Sequence, residues 1–356
     1  GDNVADVAGL GADIMESFVA ALVSSIVLFT YMSFSYSNGG NPIPNQLSYN
    51  LFMYPVLFAS LGLAGSLIGF AFFSLRRVKR TLYKELFFTV NIAAVVSIAG
   101  SFILCLLLFR SVDISVFGFK AGIFSPWMCS TLGVAGGMGI GRLSEIYTSY
   151  DYEPTQRAAE ASREGAVPSI LQGFSTGLKS VFAPVLCLAV VIILTYWTGG
   201  VYGVALAAVG MISFVASTLA VDMLGPIIDN AGGICEMANL SDDVRCITDR
   251  LDSIGNTTDA VAKGYAIGSA ALSAVSLFAA FLYSQVNGIP GGINEIVLNI
   301  ARPLPLTGVI VGAAVPYLFS GIITEAVSNA ARLMITEIRR QLKIDPSILR
   351  GEKKPD

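Results

Sequence analysis

The 356-residue chain contains no histidine, so imidazole is excluded as general base, proton shuttle or metal ligand. Its five cysteines, Cys105, Cys129, Cys187, Cys235 and Cys246, show no CxxC spacing. They read as small apolar fillers, and zinc, haem, iron–sulfur and disulfide frameworks are not expected. Charge is scarce as well: 13% of residues are charged, against about 25% in a soluble globular domain. A net charge of −3 gives no reason to expect a nucleic-acid partner. No basic n-region, apolar h-region and cleavage site precede the first apolar run.

What is abundant is apolar surface and glycine: 54% of residues are hydrophobic and 36 are Gly. Runs long enough to cross about 30 Å of hydrocarbon lie near residues 8–32, 51–74, 87–109, 122–144, 181–197, 201–221, 259–285 and 303–330. An open sheet would leave backbone groups unsatisfied in lipid, so all are expected to be helical. The reading is an all-α polytopic membrane protein with about eight transmembrane helices. If the first run leaves the cytoplasm, nineteen of the 22 Lys and Arg fall on the inner side and only Arg110, Lys120 and Arg302 on the outer. The positive-inside rule then puts Gly1 and the C-terminal tail in the cytoplasm. The cytoplasmic segments lie near 75–86, 145–180, 222–258 and 334–356.

The connections differ in kind. Residues 37–50 and 284–295 are rich in Gly, Pro and Asn, as turns are. RRVKRTLYKE (76–85) is a short basic segment suited to lipid headgroups. Residues 145–180 contain a polar helical stretch expected to break at Pro154 and Pro168, and residues 222–258 are strongly acidic. Pairs such as Gly65 with Gly69 suit close helix packing.

The chain opens with GDNVADVAGLGADIMES. At about 100° per residue, Asp2, Asp6, Asp13 and Glu16 share a wedge of about 80° on one helix. At about 1.5 Å per residue, Asp13 lies about 17 Å and Glu16 about 21 Å deeper than Asp2. Such a stripe cannot face lipid; it needs the bundle interior, water, ions or cationic partners, although a lone carboxylate at a helix mouth also serves as a dipole partner. A second acidic group sits in DMLGPIIDNAGG. If the helix persists through Pro226, Asp222 and Asp229 share one face, and Asn230 with the glycines ends it; both also suit capping a break at Gly225–Pro226. Asn256 in GNTT precedes the seventh run. Clustered carboxylates and amides without histidine suit Mg²⁺, a hard cation usually held by a few carboxylates plus substrate phosphates. GLG (9–11) has no following lysine in P-loop position. Glu145 beside Arg142 suits a local ion pair, and Glu325 near the end of the eighth run can snorkel.

These segments resemble known motifs. GDNVADVAGLGADIMES is similar to the GDNVGDxAGMGADLFES signature of membrane-integral, ion-translocating pyrophosphatases. DMLGPIIDNAGGICEM resembles that family's DAYGPIxDNAGGIAEM, GNTTDAVAKGYAIGSAAL its GNTTxAxxKGFAIGSAAL, SEIYTSYDYEP its TEYYTS segment, and PYLFSGIITEAVSNAARLMITEIRRQ its PFLFSSLTMKAVGRAA region. The resemblance implies a homodimer of sixteen-helix bundles, of which residues 1–356 form one transmembrane piece matching helices six to thirteen. It implies a cation pump of prokaryotic cell membranes that couples Mg²⁺-dependent hydrolysis of inorganic diphosphate to Na⁺ or H⁺ transport. By resemblance Asp2, Asp229 and Asn256 hold Mg²⁺ and diphosphate, and Asp6 orients the attacking water. Asp13 and Glu16 form the ion gate, while Glu145 and Asp222 belong to coupling. Positions 259 and 262 bear on K⁺ dependence. Ala262 leans towards the K⁺-dependent kind, whereas Asp259 matches neither the usual Ala nor Lys. Ala5 replaces a usual Gly, and the gate glutamate stands at Glu16 rather than at the position of Ala20.

The abrupt start and the polar end GEKKPD suggest a piece of a longer reading frame, expected to be inactive by itself. The alternatives are a secondary transporter or channel using the acidic stripe as an ion path, and an inactive relic.

Overall fold

The computed structural model describes residues 3–38, 43–75, 82–112, 114, 119–285 and 302–356. Among them there is no strand, and eleven α-helices carry the architecture. A π-helical turn, Asn3–Ala8, leads into α1 (Gly9–Asn38); α2 (Asn45–Leu75), α3 (Leu82–Phe109) and α4 (Ser125–Thr148) follow. Then come α5 (Glu153–Glu164), α6 (Ala166–Ser180), α7 (Phe182–Met211), α8 (Val215–Asp222), α9 (Leu224–Met237), α10 (Asp242–Gln285) and α11 (Pro303–Ile344). The chain forms two compact units, Gly1–Glu295 and Ile296–Asp356. The second contains α11 and a tail tied back to it: Gln341 Oε1 accepts from the Asp356 amide at 3.0 Å, and Lys353 pairs with Asp345 at 2.8 Å.

Among the described residues six helical stretches are long and apolar enough to cross a membrane, and two features bring this to the expected eight. The first is α7, which is two antiparallel limbs. Gly199 and Gly200 leave helical geometry, Gly200 at φ 62°, a conformation open to glycine without steric cost. A Cβ on Gly203 would stand 2.5 Å from the Thr195 carbonyl, which an unbroken helix cannot bring about at about 12 Å of separation along its axis. The limb 201–211 and α8 thus make up the predicted run 201–221. The second feature is α4, whose glycines dilute its apolarity. They let it approach α7 closely: a Cβ on Gly133 would lie 2.1 Å from Ala207 O, and one on Gly210 2.2 Å from Ser130 O. Small residues at such contacts are how membrane helices gain packing without a hydrophobic driving force. Behind this seam lie fully buried Tyr54, Phe58, Phe109 and Tyr202. Two hydroxyls there are satisfied, with Tyr202 Oη donating to Leu51 O at 2.6 Å and Tyr54 Oη 3.1 Å from Ser130 Oγ.

Several expectations change. The prolines of residues 145–180 do not break helices. Pro154 stands in the first turn of α5 and Pro168 in the first turn of α6, where a missing amide is harmless; the break is Gly165, at φ 132°. The helix after Asp222 does not persist unbroken, since it ends at Met223 and restarts as α9. Nor does it stop at Asn230: α9 runs to Met237, with Asn230 Nδ2 donating to Pro226 O at 2.9 Å. The segment 242–258 is the first part of α10, whose 44 residues extend about 66 Å, over twice the hydrocarbon thickness. Of the turn segments expected at 37–50 and 284–295, residues 37–38 end α1, 45–50 open α2 and 284–285 end α10; residues 39–42 and 286–295, with most of the basic segment 76–85, lie outside the described residues.

Candidate functional site

The beginnings of α1 and α9 and the middle of α10 meet on one side of the bundle. The closest approach is between backbones, with a Cβ on Gly255 placed 2.6 Å from Gly225 Cα. Because neither helix carries a side chain there, Asp229 and Asn256, each about one turn or less away, come to the same opening. They and Asp13, Asp259 and Lys263 line a cleft of about 370 Å³, with Gly9, Leu10 and Pro226 completing its wall. Asp13, Asp229, Asn256 and Lys263 are exposed to it. Lys263 Nζ lies 2.7 Å from Asp259 Oδ2, one helical turn away, and Asn256 Nδ2 donates to Asp252 Oδ2 at 3.2 Å. Asp252 precedes the apolar half of α10; burial and the carboxylates of Asp229 and Asp249 raise its pKa, against the Asn256 hydrogen bond.

Beneath this cleft lies Asp222, directly after the apolar run 201–221. It is 0% exposed, and neither carboxylate oxygen has a hydrogen-bond partner among the described residues. Burial first, then the Asp259 carboxylate, push its pKa up to about 8, with Lys263 opposing. An unpartnered carboxylate out of water is far cheaper as the neutral acid. Its folded pKa exceeds its unfolded value, so its contribution to stability is complete at low pH and is lost as pH rises through about 8. The melting temperature of the protein is therefore expected to fall between pH 6 and 9 by more than that of Asp222→Asn, which keeps the shape but cannot ionise. Parallel melting curves would contradict this.

The remaining expected residues are distributed as follows. Asp2 lies outside the described residues. Asp6 falls in the π-helical turn, so the 100° spacing that put it in register with Asp13 does not hold there; its side chain is not among those described. Glu16 is exposed on α1, one turn below Asp13, and does not line the cleft. Ala262 is 2% exposed and turned into the core, so of the two positions linked to K⁺ only Asp259 reaches the cleft. Glu145 is buried away from it and paired with Arg142, as the local ion pair required. Sequence reasoning overlooked Lys263 as a cleft residue, although its four-residue spacing from Asp259 signals a shared helix face.

Chemically the cleft offers hard oxygen donors and one ammonium. Among the described residues no group of three His, Cys, Asp or Glu stands close enough to hold a metal ion unaided. Two or three spaced carboxylates with an amide fit a divalent ion that takes its other ligands from water and phosphate, which is the habit of Mg²⁺.

The family model described as inorganic H⁺ pyrophosphatase matches residues 1–356. A K⁺-stimulated pyrophosphate-energized sodium pump of Thermotoga maritima is 42% identical over 97% of this chain and 49% of its own length. A K⁺-insensitive pyrophosphate-energized proton pump of Methanosarcina mazei is 34% identical over 98% of this chain and 49% of its own. A pyrophosphate-energized membrane proton pump of Arabidopsis thaliana is 35% identical, matched over 100% of this chain and 45% of its own. The chain spans about half the length of the curated relatives it matches.

Proposed function

Because the chain belongs to the inorganic H⁺ pyrophosphatase family, we propose that it supplies part of the diphosphate site and ion path of a pyrophosphate-energised pump for Na⁺ or H⁺. The observation carrying this reading is the convergence of Asp13, Asp229, Asn256, Asp259 and Lys263 on one cleft. Asp229 and Asn256 offer oxygens for Mg²⁺ and diphosphate, with Asp2 joining them. When bound, Mg²⁺ neutralises phosphoryl charge as the bridging bond breaks. The Lys263 ammonium is held on the cleft wall by Asp259, where it can turn to an incoming anion. Asp6 takes the proton of the attacking water as general base.

Asp13 and Glu16 descend from the cleft along α1 and form the cation gate. Exposed carboxylates on a spanning helix are too costly to face lipid, which supports giving that face of α1 to ions and protein. Asp222, neutral beneath Asp259 and Lys263, and the Glu145–Arg142 pair belong to the coupling between cleft and gate. The excess of Lys and Arg at the cleft end supports a cytoplasmic cleft. The assembly is a homodimer in a cell membrane, and the relatives' split over K⁺ makes Asp259 the residue through which a monovalent cation would act.

The test is Mg²⁺-dependent hydrolysis of diphosphate by the protein in membrane vesicles, with and without Asp6→Ala. Loss of about 10²-fold or more in kcat is expected for removal of a general base. Equal activity in the two removes Asp6 from the chemistry.

A further inference from the structure

Helices α3 and α4 are joined at one end and parted at the other. At the end remote from the diphosphate cleft, Trp127 Nε1 donates to Ile98 O at 3.0 Å. Phe102 stacks on Phe124 with ring centroids 5.3 Å apart and meets Trp127 edge-on at 5.4 Å. At the cleft end the helices border a second cavity of about 510 Å³. Its walls are Phe87, Val90 and Met138, and Tyr265 of α10 lies at its back. Lys84, Asn91, Arg142 and Glu145 supply its polar groups.

The charges stand at a telling depth. Lys84 precedes the apolar run of α3 by about one turn, and Arg142 stands in the last turn of that of α4, so both sit near headgroup level with apolar walls beside them. Glu145 is buried and paired with Arg142, leaving two cations against one carboxylate. Lys84 and Asn91 are exposed and make no hydrogen bond or ion pair among the described residues. A wedge between membrane helices, apolar along its depth and cationic at the membrane surface, matches a molecule with a phosphate head and an acyl tail. A soluble anion would use only the mouth.

We propose that this wedge binds one anionic phospholipid, its phosphate on Lys84 and Arg142 and the start of an acyl chain along Phe87, Val90 and Met138. The site is separate from the diphosphate cleft and does not depend on the function proposed for it. The test is native mass spectrometry of the full-length protein in detergent with added phosphatidylglycerol or phosphatidylcholine, comparing the protein with Lys84→Gln and Lys84→Arg. Lys84 is exposed, and equal melting temperatures verify that the variants fold. The protein and Lys84→Arg should each retain one more phosphatidylglycerol per chain than Lys84→Gln, with phosphatidylcholine retention the same in all three. Equal phosphatidylglycerol retention by Lys84→Gln overturns the proposal. So does a change confined to binding of inorganic phosphate, which would make the site one for a free anion.

Discussion

Asp229→Ala should lower kcat for Mg²⁺-dependent diphosphate hydrolysis by about 10²-fold or more, the scale seen when a preorganised group facing developing charge is removed. The expectation rests on position. Asp229 is exposed on α9 and opens into the cleft between Asp13 and Asn256, so it is one of few carboxylates there able to meet a divalent ion. It makes no hydrogen bond or ion pair among the described residues, so its removal leaves no buried group stranded, and the melting temperature should hold. Raising Mg²⁺ should restore part of the activity of Asp229→Asn, which keeps one oxygen donor. Unchanged kcat at saturating Mg²⁺ would show that the carboxylate is not part of the reacting site.

Gly255→Val should be more damaging, and for a different reason. Any Cβ at 255 meets the backbone of Gly225, at 2.6 Å from its Cα, and backbone cannot rotate aside as a side chain can. Overpacking of this kind costs about 1–3 kcal/mol, and relief comes only by parting α9 from α10, which separates Asp229 from Asn256. Both the melting temperature and hydrolysis should therefore fall. Gly233→Ala on α9 is the control, because a Cβ there has nothing within 4 Å and helix propensity favours alanine. Equal loss in the two variants would trace the effect to helix composition and not to the α9–α10 contact.

Much of this arrangement was legible in the residues. Lipid imposes internal hydrogen bonding, so the apolar runs could only be helices, and α1, α2 and α3 cover theirs closely. The split of α7 was legible because Gly199–Gly200 interrupts an apolar stretch too long for one crossing. The length of α10 was not. Residues 242–258 read only as part of an acidic cytoplasmic segment, and their helix packs against α9, a tertiary effect invisible to local pattern. That Asp229 and Asn256 open to the same end of the bundle as the acidic stripe of α1 was legible; that Asp13, expected well below the mouth, lines the same cleft was not. The isolation of Asp222 did not, because burial depends on what packs around α8 and not on spacing from Asp229. Lys263 was passed over as one more basic residue, since its role comes from the face it shares with Asp259 and Asn256.

The central claim, that the cleft couples diphosphate to ion movement, is tested most directly by measuring ion uptake into sealed vesicles holding the full-length protein. Addition of Mg²⁺-diphosphate should drive Na⁺ uptake or acidification, and hydrolysis should accompany it in proportion. Asp229→Ala should abolish both together. Uptake that follows an imposed ion gradient and ignores diphosphate would contradict the account and make the acidic stripe the path of a secondary transporter.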